Sequence, residues 1–253
     1  MTSRDPGPPD SVLGRAVLLL DAFQADHRVS LSTLVERTGL PKSTVHRMLG
    51  DLVELRLVEK GTDGYHLGGR LFELGMRASV ERQLMEIAIP FMEDLYERTH
   101  ETVHLGVRDG TEVVYVAKLG GHRQALSPSR VGGRMPLYCT AVGKVLLAYA
   151  EPHLLEQVVA GGLVRRTPRT IVAPGLLRRQ VEAIREQGVG FEREESQVGL
   201  CCVSAPVLDP DDCAVAAVSV TGPVTRFRPE AAARLVRAAG AGIAATWARR
   251  PSH

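Results

Sequence analysis

Lys42, Ser43, Thr44, His46 and Arg47 are five hydrogen-bond donors within six consecutive positions, and no acid follows them until Asp51. On a helix whose other side carries Val45, Met48, Leu49 and Leu52, these donors share the outward arc. Side chains of this kind enter a DNA major groove and meet base edges and phosphates. Lys60, on the strand-like run that follows, adds a further cation. A second stretch offers different chemistry. Thr140 is a good N-cap residue before the apolar run that includes Ala141 and Val142. The unpaired N–H groups and the dipole of such a helix start favour an anion by about 0.3–1 kcal/mol, or ~2 kcal/mol when partly buried. A carboxylate would suit it.

The elements that must position the first set are legible from spacing. Leu31, Leu34, Val35 and Thr38 fall at i, i+3, i+4 and i+7, and the second helix repeats the pattern, so the two buried stripes share one core. Gly39 can take the left-handed position that ends the first helix, and Pro41 presets φ at the start of the second. Leu57–Lys60 and Tyr65–Leu67 flank Gly61-Thr62-Asp63-Gly64, a hairpin with turn glycines. Two helices followed by a hairpin make Leu31–Leu67 a winged helix-turn-helix. A plain helical hairpin with a solvated basic face is the alternative, and the flanking wing argues against it. Ser11 can cap a preceding helix with Leu13, Val17 and Leu20 on one face. The DNA-binding domain then covers residues 10–69, behind a frayed Pro- and Gly-rich tail at 1–9.

Composition sets the limits. A chain of 253 residues, 44% hydrophobic and 24% charged, suits two soluble domains. It holds no apolar run near the ~18 residues of a membrane span, and its first residues lack a signal-peptide core. A cytoplasmic protein is expected. The four cysteines (139, 201, 202 and 213) form no Cys-x-x-Cys pair, which disfavours a disulfide framework or a zinc ribbon. Cys201 and Cys202 should point to opposite faces of a strand. Residues 1–70 contain nine Lys/Arg and nine Asp/Glu, so any DNA affinity must come from a local patch reinforced by pairing two copies, not from bulk charge.

Beyond Gly68-Gly69, Leu71, Leu74 and Ala78 line one side of a helical pattern and Phe72 and Met76 another. This reads as a linker helix, about 70–82, that also contributes to a dimer contact. A further helix spans Leu84–Arg98, with Pro90 as a kink or boundary. Strand rhythm then appears at Glu101–Val107 and Glu112–Lys118, around Asp109-Gly110, and at Gln124–Val131. Helices follow at Thr140–Ala150 and Pro174–Gln187, strands at Phe191–Glu194, Cys201–Leu208 and Ala214–Val220, and a last helix at Pro229–Trp247. Strands with segregated helices imply an α+β domain over 83–253, built on a mainly antiparallel sheet.

Other constellations are weaker. Gly143-Lys144 lacks P-loop spacing. His100, His104 and His122 fit core or surface roles better than metal ligation. Cys202 has no sequence-adjacent base to make it a nucleophile, and Glu194-Glu195 fits a solvated edge or an ion pair better than a catalytic pair. Arg165, Arg166 and Arg169 fit a solvated loop. No catalytic residue, metal ligand or cofactor is expected.

The chain is similar to the IclR-type transcriptional regulators. The matching stretches are Gly39-Leu40-Pro41-Lys42-Ser43-Thr44-Val45-His46-Arg47; Gly64-Tyr65-His66-Leu67-Gly68; Glu101-Thr102-Val103-His104-Leu105; Thr140-Ala141-Val142-Gly143-Lys144; Glu194-Glu195 with Gly199; Ser204-Ala205-Pro206; and Ser219-Val220-Thr221-Gly222-Pro223. The resemblance implies a winged head, a linker helix and a GAF-like effector domain. It also implies a homodimer or homotetramer on palindromic double-stranded operator DNA, tuned by a small organic or aromatic acid, often at a catabolic operon. It places the acid at Ala141 and Val142, further contacts at Glu192, Cys202, Ser219 and Thr221, and an apolar wall at Met135. Glu192 stands where small-acid sensors tend to carry Asp, Thr221 where they carry Ser, and Val142 replaces a smaller residue. Like charges at contact are disfavoured, so a buried Glu facing a carboxylate ligand must share a proton or meet a hydroxyl. A hydroxylated, keto or aromatic acid is therefore expected. The competing reading is a sensory enzyme whose GAF-like domain turns over a small acid while the winged domain binds protein.

Overall fold

The computed structural model describes residues 9, 11–23, 28–77, 79–120 and 129–249. The chain divides into two compact units, Met1–Ser79 and Val80–His253. Of the tail expected at 1–9, only Pro9 lies among the described residues, and His122 lies outside them.

In the first unit, α1 is Val12–Asp21, α2 Leu31–Thr38 and α3 Lys42–Glu54. A hairpin follows, β1 Val58–Gly61 and β2 Gly64–Leu67, and then the short helix α4, Gly69–Gly75. Ser11 and Ser30 cap α1 and α2 by accepting from Gly14 N–H and Thr33 N–H. Gly39 closes α2 at φ 66°, a left-handed conformation that glycine reaches without steric cost. Leu19, Phe23, Leu34, Val45, Leu49, Leu52 and Val58 form one core, each such side chain contributing about 1.5–3 kcal/mol on burial. The expected α1 stripe is corrected. Leu19 is buried and Leu20 partly so, whereas Val12, Leu13 and Val17 are 69%, 79% and 57% exposed. Leu19, Ala22 and Phe23 supply the contacts instead, so the apolar content of α1 is split between two faces.

In the second unit α5, Ser79–Thr99, runs through Pro90. Pro90 is exposed, on the solvent side of the helix where a missing backbone N–H is tolerated, and no boundary forms there. Eight-residue strands β3, Thr102–Asp109, and β4, Glu112–Leu119, come next. The next described strand, β5, is Arg134–Pro136, and the strand expected at Gln124–Val131 falls largely outside the described residues. Residues 124–128 lie outside the described residues, and 129–131 are loop and turn. A 3-10 turn at Leu137–Cys139 leads into α6, Ala141–Ala148. The helix α7, Pro152–Ala160, was not foreseen. Then come α8 Pro174–Gln187, β6 Gly190–Arg193, β7 Leu200–Leu208, β8 Ala214–Pro223 and α9 Pro229–Ala248.

The six strands form one sheet in the order β5-β4-β3-β8-β7-β6, and every pairing is antiparallel. Alternation along the strands feeds two cores. One face, with Val103, Leu105, Val203, Val218 and Val220, packs with Met92 and Leu95 of α5 and Val236 and Ile243 of α9. The other, with Val113, Tyr115 and Met135, packs with α6, α7 and α8 through Val145, Leu154 and Leu177. This is the α+β architecture expected, with helices on both faces. No described helix is long and apolar enough to cross a membrane.

Candidate DNA-reading helix and effector cavity

On α3, Val45, Met48, Leu49 and Leu52 are buried, while Lys42, Ser43, His46 and Arg47 are exposed and Thr44 is half-buried. Among the described residues, none of these five side chains makes a hydrogen bond or ion pair, nor does Lys60, which is exposed on β1. The basic face of α3 is therefore unspent. The hairpin is anchored from behind. Val29 and Tyr65 exchange backbone bonds at 2.8 and 2.9 Å, and Arg28 Nη1 lies 2.9 Å from Asp63 Oδ2 at the turn.

In the second unit, one cavity is lined by Met135, Ala141, Val142, Glu192, Cys202 and Thr221, six of the seven expected effector residues. Ser219 does not line it. It lies on the same face of β8 as Thr221, paired with Ser204 of β7 and His104 of β3, and its buried Oγ has no hydrogen-bond partner among the described residues. The cavity is narrow: about 20 Å³ is open to the centre of a water molecule, enough for about one water. Wider surface clefts, of about 490 Å³ beside Glu101 and Arg226 and about 750 Å³ along α9, contain none of the seven.

Each wall has a local cause. Thr140 Oγ1 accepts from Gly143 N–H at 3.0 Å and caps α6. The N–H groups of Ala141 and Val142 have no such bond among the described residues. A Cβ on Gly143 would stand 2.3 Å from the carbonyl oxygen of Leu137, so only glycine lets the helix start approach the 3-10 turn this closely. Across the sheet, Glu192 faces Cys202 and Cys202 faces Thr221. Thr221 Oγ1 donates to Cys202 Sγ at 3.0 Å. Burial pushes the Cys202 thiol up to about 12 and the Glu192 carboxyl up to about 7. The thiol is protonated and unreactive at neutral pH. Cys201, on the opposite face, belongs to the other core.

Six lining residues were not foreseen at the site: His104, Tyr115, Ser129, Thr140, Ser196 and Leu200. His104 Nε2 is 2.7 Å from Ser129 Oγ, and its Nδ1 is 3.5 Å from Thr221 Oγ1. Burial, with the nearby Lys118 charge, lowers its pKa to about 3, so it is a neutral polar group. Strand pairing was the missing signal: β3 must be laid beside β8 before His104 falls next to Ser219 and Thr221. Glu194 and Glu195 lie in the turn after β6 and both form ion pairs, with Arg169 at 3.0 Å and Lys144 at 2.6 Å. Arg165 and Arg166 are exposed, as expected of that loop.

A winged helix-turn-helix unit joined to an α+β unit holding a polar internal cavity defines a DNA-binding regulator with a sensory domain. Residues 12–61 match the IclR helix-turn-helix domain, and residues 76–252 match the family described as bacterial transcriptional regulator IclR C-terminal. The chain belongs to the IclR family of transcriptional regulators. It is 36% identical over 227 residues to the HTH-type transcriptional regulator KdgR of Escherichia coli K12, covering 88% of this chain and 86% of that one. The HTH-type transcriptional repressor AllR of the same organism is 32% identical over 201 residues, with 78% and 74% covered. An IclR homologue complexed with 4-hydroxybenzoate from Microbacterium hydrocarbonoxydans superposes with a TM-score of 0.86 at 31% identity, covering 93% of this chain and 98% of that one. For the Thermotoga maritima IclR the TM-score is 0.75 at 31% identity, with the same coverage. The KdgR and AllR relatives are named as a transcriptional regulator and a repressor, not as enzymes, which goes against the sensory-enzyme alternative.

Proposed function

We propose that the chain regulates transcription as a homodimer or dimer of dimers, placing paired α3 helices on a palindromic operator and changing its operator affinity when a small organic acid enters the cavity of the second unit. The observation that carries the effector half is the meeting, around one cavity, of the unpaired Ala141 and Val142 N–H groups with Glu192, Cys202 and Thr221. A helix start of this kind favours a carboxylate. The 4-hydroxybenzoate complex of a relative supports an acid with a further polar group, which the neutral His104 and Ser129 would meet. Entry requires the lining to widen, since the space open to water is small.

The pairing half rests on charge and on exposed apolar surface. A head with nine cations and nine acids in residues 1–70 binds weakly as one copy. Val12, Leu13 and Val17 on α1, and Phe72 and Leu74 in the 70–82 linker segment, are left exposed and suit contacts between copies. Local catabolic genes are the expected targets and the cytoplasm the expected compartment.

The test combines mobility shift and thermal shift. A fragment from the chain's own upstream region should be retarded in a salt-dependent way. An acid at about 100 times its dissociation constant should add about 2.7 kcal/mol of stability and alter the retardation without being consumed. Unchanged mobility across all upstream fragments, or an acid turned into product, would overturn the reading.

A further inference from the structure

Two buried carboxyls and one buried ammonium meet beside the cavity. Glu192 is 2% exposed, Glu195 6% and Lys144 0%. Lys144 Nζ donates to Glu195 Oε1 at 2.6 Å and to Gln180 Oε1 at 2.8 Å, so its charge is committed to Glu195. Glu192 has neutral donors on a single oxygen. Its Oε1 accepts from Glu195 N–H at 2.6 Å, from Ser196 N–H at 3.0 Å and from Ser196 Oγ–H at 3.3 Å. Its Oε2 makes no hydrogen bond among the described residues.

Among the described residues, no other group facing Glu192 compensates a negative charge there. From β3 comes His104, which burial keeps neutral. From β4 comes Tyr115, held protonated by burial, while Lys118 is only half-buried and donates to the Ser129 carbonyl at 2.7 Å. Cys139, before α6, and Cys202, on β7, are thiols that burial pushes up to about 12. Arg166 is exposed, and among the described residues no Lys or Arg lines the cavity. Two carboxylates and one ammonium would leave a bare negative charge inside the protein, and removing such a charge from water costs several kcal/mol. Glu195 Oε2 is also buried without a partner among the described residues and burial raises that carboxyl too, but Lys144 sits 2.6 Å from its other oxygen, so the one proton that restores neutrality belongs on Glu192, which has no ion pair among the described residues.

We propose that Glu192 stands as a carboxylic acid and donates its Oε2 hydrogen to the carboxylate of the effector, so that the site holds its ligand with uncharged donors only. The inference rests on the organic-acid reading above. Three such donors then converge: the N–H groups of Ala141 and Val142 and the O–H of Glu192. Binding an anion beside an ionised Glu192 would place like charges in contact, so above neutrality binding takes one proton from the buffer. Ligand carboxylate, Glu192 carboxylate and proton combine into one hydrogen-bonded pair carrying a single negative charge. The ligand class narrows to monocarboxylates with a neutral polar tail. A dicarboxylate would bring a second charge for which the described lining offers no cation.

Infrared spectroscopy of the full chain decides the protonation without any ligand. The carbonyl stretch of a protonated, buried carboxylic acid should be present at about pH 5.5, vanish by about pH 9 and be missing from the Glu192→Gln protein. A band that persists in Glu192→Gln, or its absence from the wild type, would overturn the proposal. Calorimetric titration with 4-hydroxybenzoate and with pyruvate, in phosphate and in Tris at about pH 8.5, reads the coupling. Wild-type protein should take up close to one proton per acid bound and lose affinity about tenfold per pH unit above the Glu192 titration, and Glu192→Gln should take up none. Binding with no buffer-dependent heat would overturn the proton coupling. If neither acid, nor any in a wider set of hydroxy and oxo acids, bound at all, the organic-acid reading would fail, and the infrared band would still decide the state of Glu192.

Discussion

At the scale of single residues, Arg47 and the pair Glu192 and His104 carry the sharpest expectations. Arg47 is exposed on α3 with no partner to release. Arg47→Ala should cost about 1–3 kcal/mol of operator affinity and relax specificity at one base if the guanidinium is bidentate to a guanine, or weaken all sequences alike if it holds a phosphate. Fluorescence anisotropy on wild-type and mutated operators separates the two outcomes, and full affinity would remove Arg47 from the interface. Glu192 and His104 make opposite contributions to pH dependence. The Glu192 pKa is raised from 4.5 to about 7, so its stabilising proton is fully held below pH 4.5 and is lost as pH rises through about 7. The His104 pKa is lowered from 6.5 to about 3, so its contribution is full above pH 6.5 and is lost as pH falls toward 3. Between pH 4.5 and 6.5 the slopes, each about 1.4 kcal/mol per pH unit, oppose and leave stability nearly level. Glu192→Gln should unmask a rise with pH across that window in urea titrations of the second unit. A profile that stayed level would mean that Glu192 does not hold the proton.

At the scale of elements, α6 and the turn after β6 hold each other in place through Lys144 and Glu195. Thr167 Oγ1 and Thr170 Oγ1 donate to the Glu194 and Glu195 carbonyls at 2.5 and 2.7 Å, and the same turn supplies the donors on Glu192. Lys144→Met should destabilise the second unit by about 3–5 kcal/mol, because it leaves the Glu195 carboxyl buried without a cation. Chemical denaturation gives the number, and a loss below about 1 kcal/mol would mean that Glu195 simply takes up a proton instead. The elements most visible in the sequence were those with internal periodicity: α2, α3, α8 and the β3–β4 hairpin with its Asp109-Gly110 turn. β5, only three residues long, and α7, opened by Pro152 after a short loop, carry too few periodic positions to stand out. The α1 stripe was misassigned because apolar residues lie on both sides of that helix, and periodicity cannot say which side the core takes.

At the scale of the whole molecule, a formally neutral head and an apolar surface spread over α1 and α4 are what support the proposal that two copies bind the operator together. Two recognition helices related by a twofold axis read half-sites about 10–10.5 base pairs apart or at multiples of that spacing. Inserting about half a turn of DNA between half-sites should therefore abolish high-affinity binding while leaving each half-site intact. Retained affinity for the lengthened operator would mean that the heads bind independently. What the sequence by itself determined is everything local. The head from Leu31 to Leu67 is contiguous, so its helical stripes, its turn glycine and its wing could be read in order, and collinear motifs gave the family. The cavity of the second unit is different in kind. Its polar floor joins His104 to Thr221, 117 positions apart, and Glu192 to the start of α6. Which residues face the cavity, how narrow it is and which carboxyl is left without a cation all depend on strand order and depth of burial. Those are set by the packing of distant segments around shared cores, and no spacing within one segment encodes them.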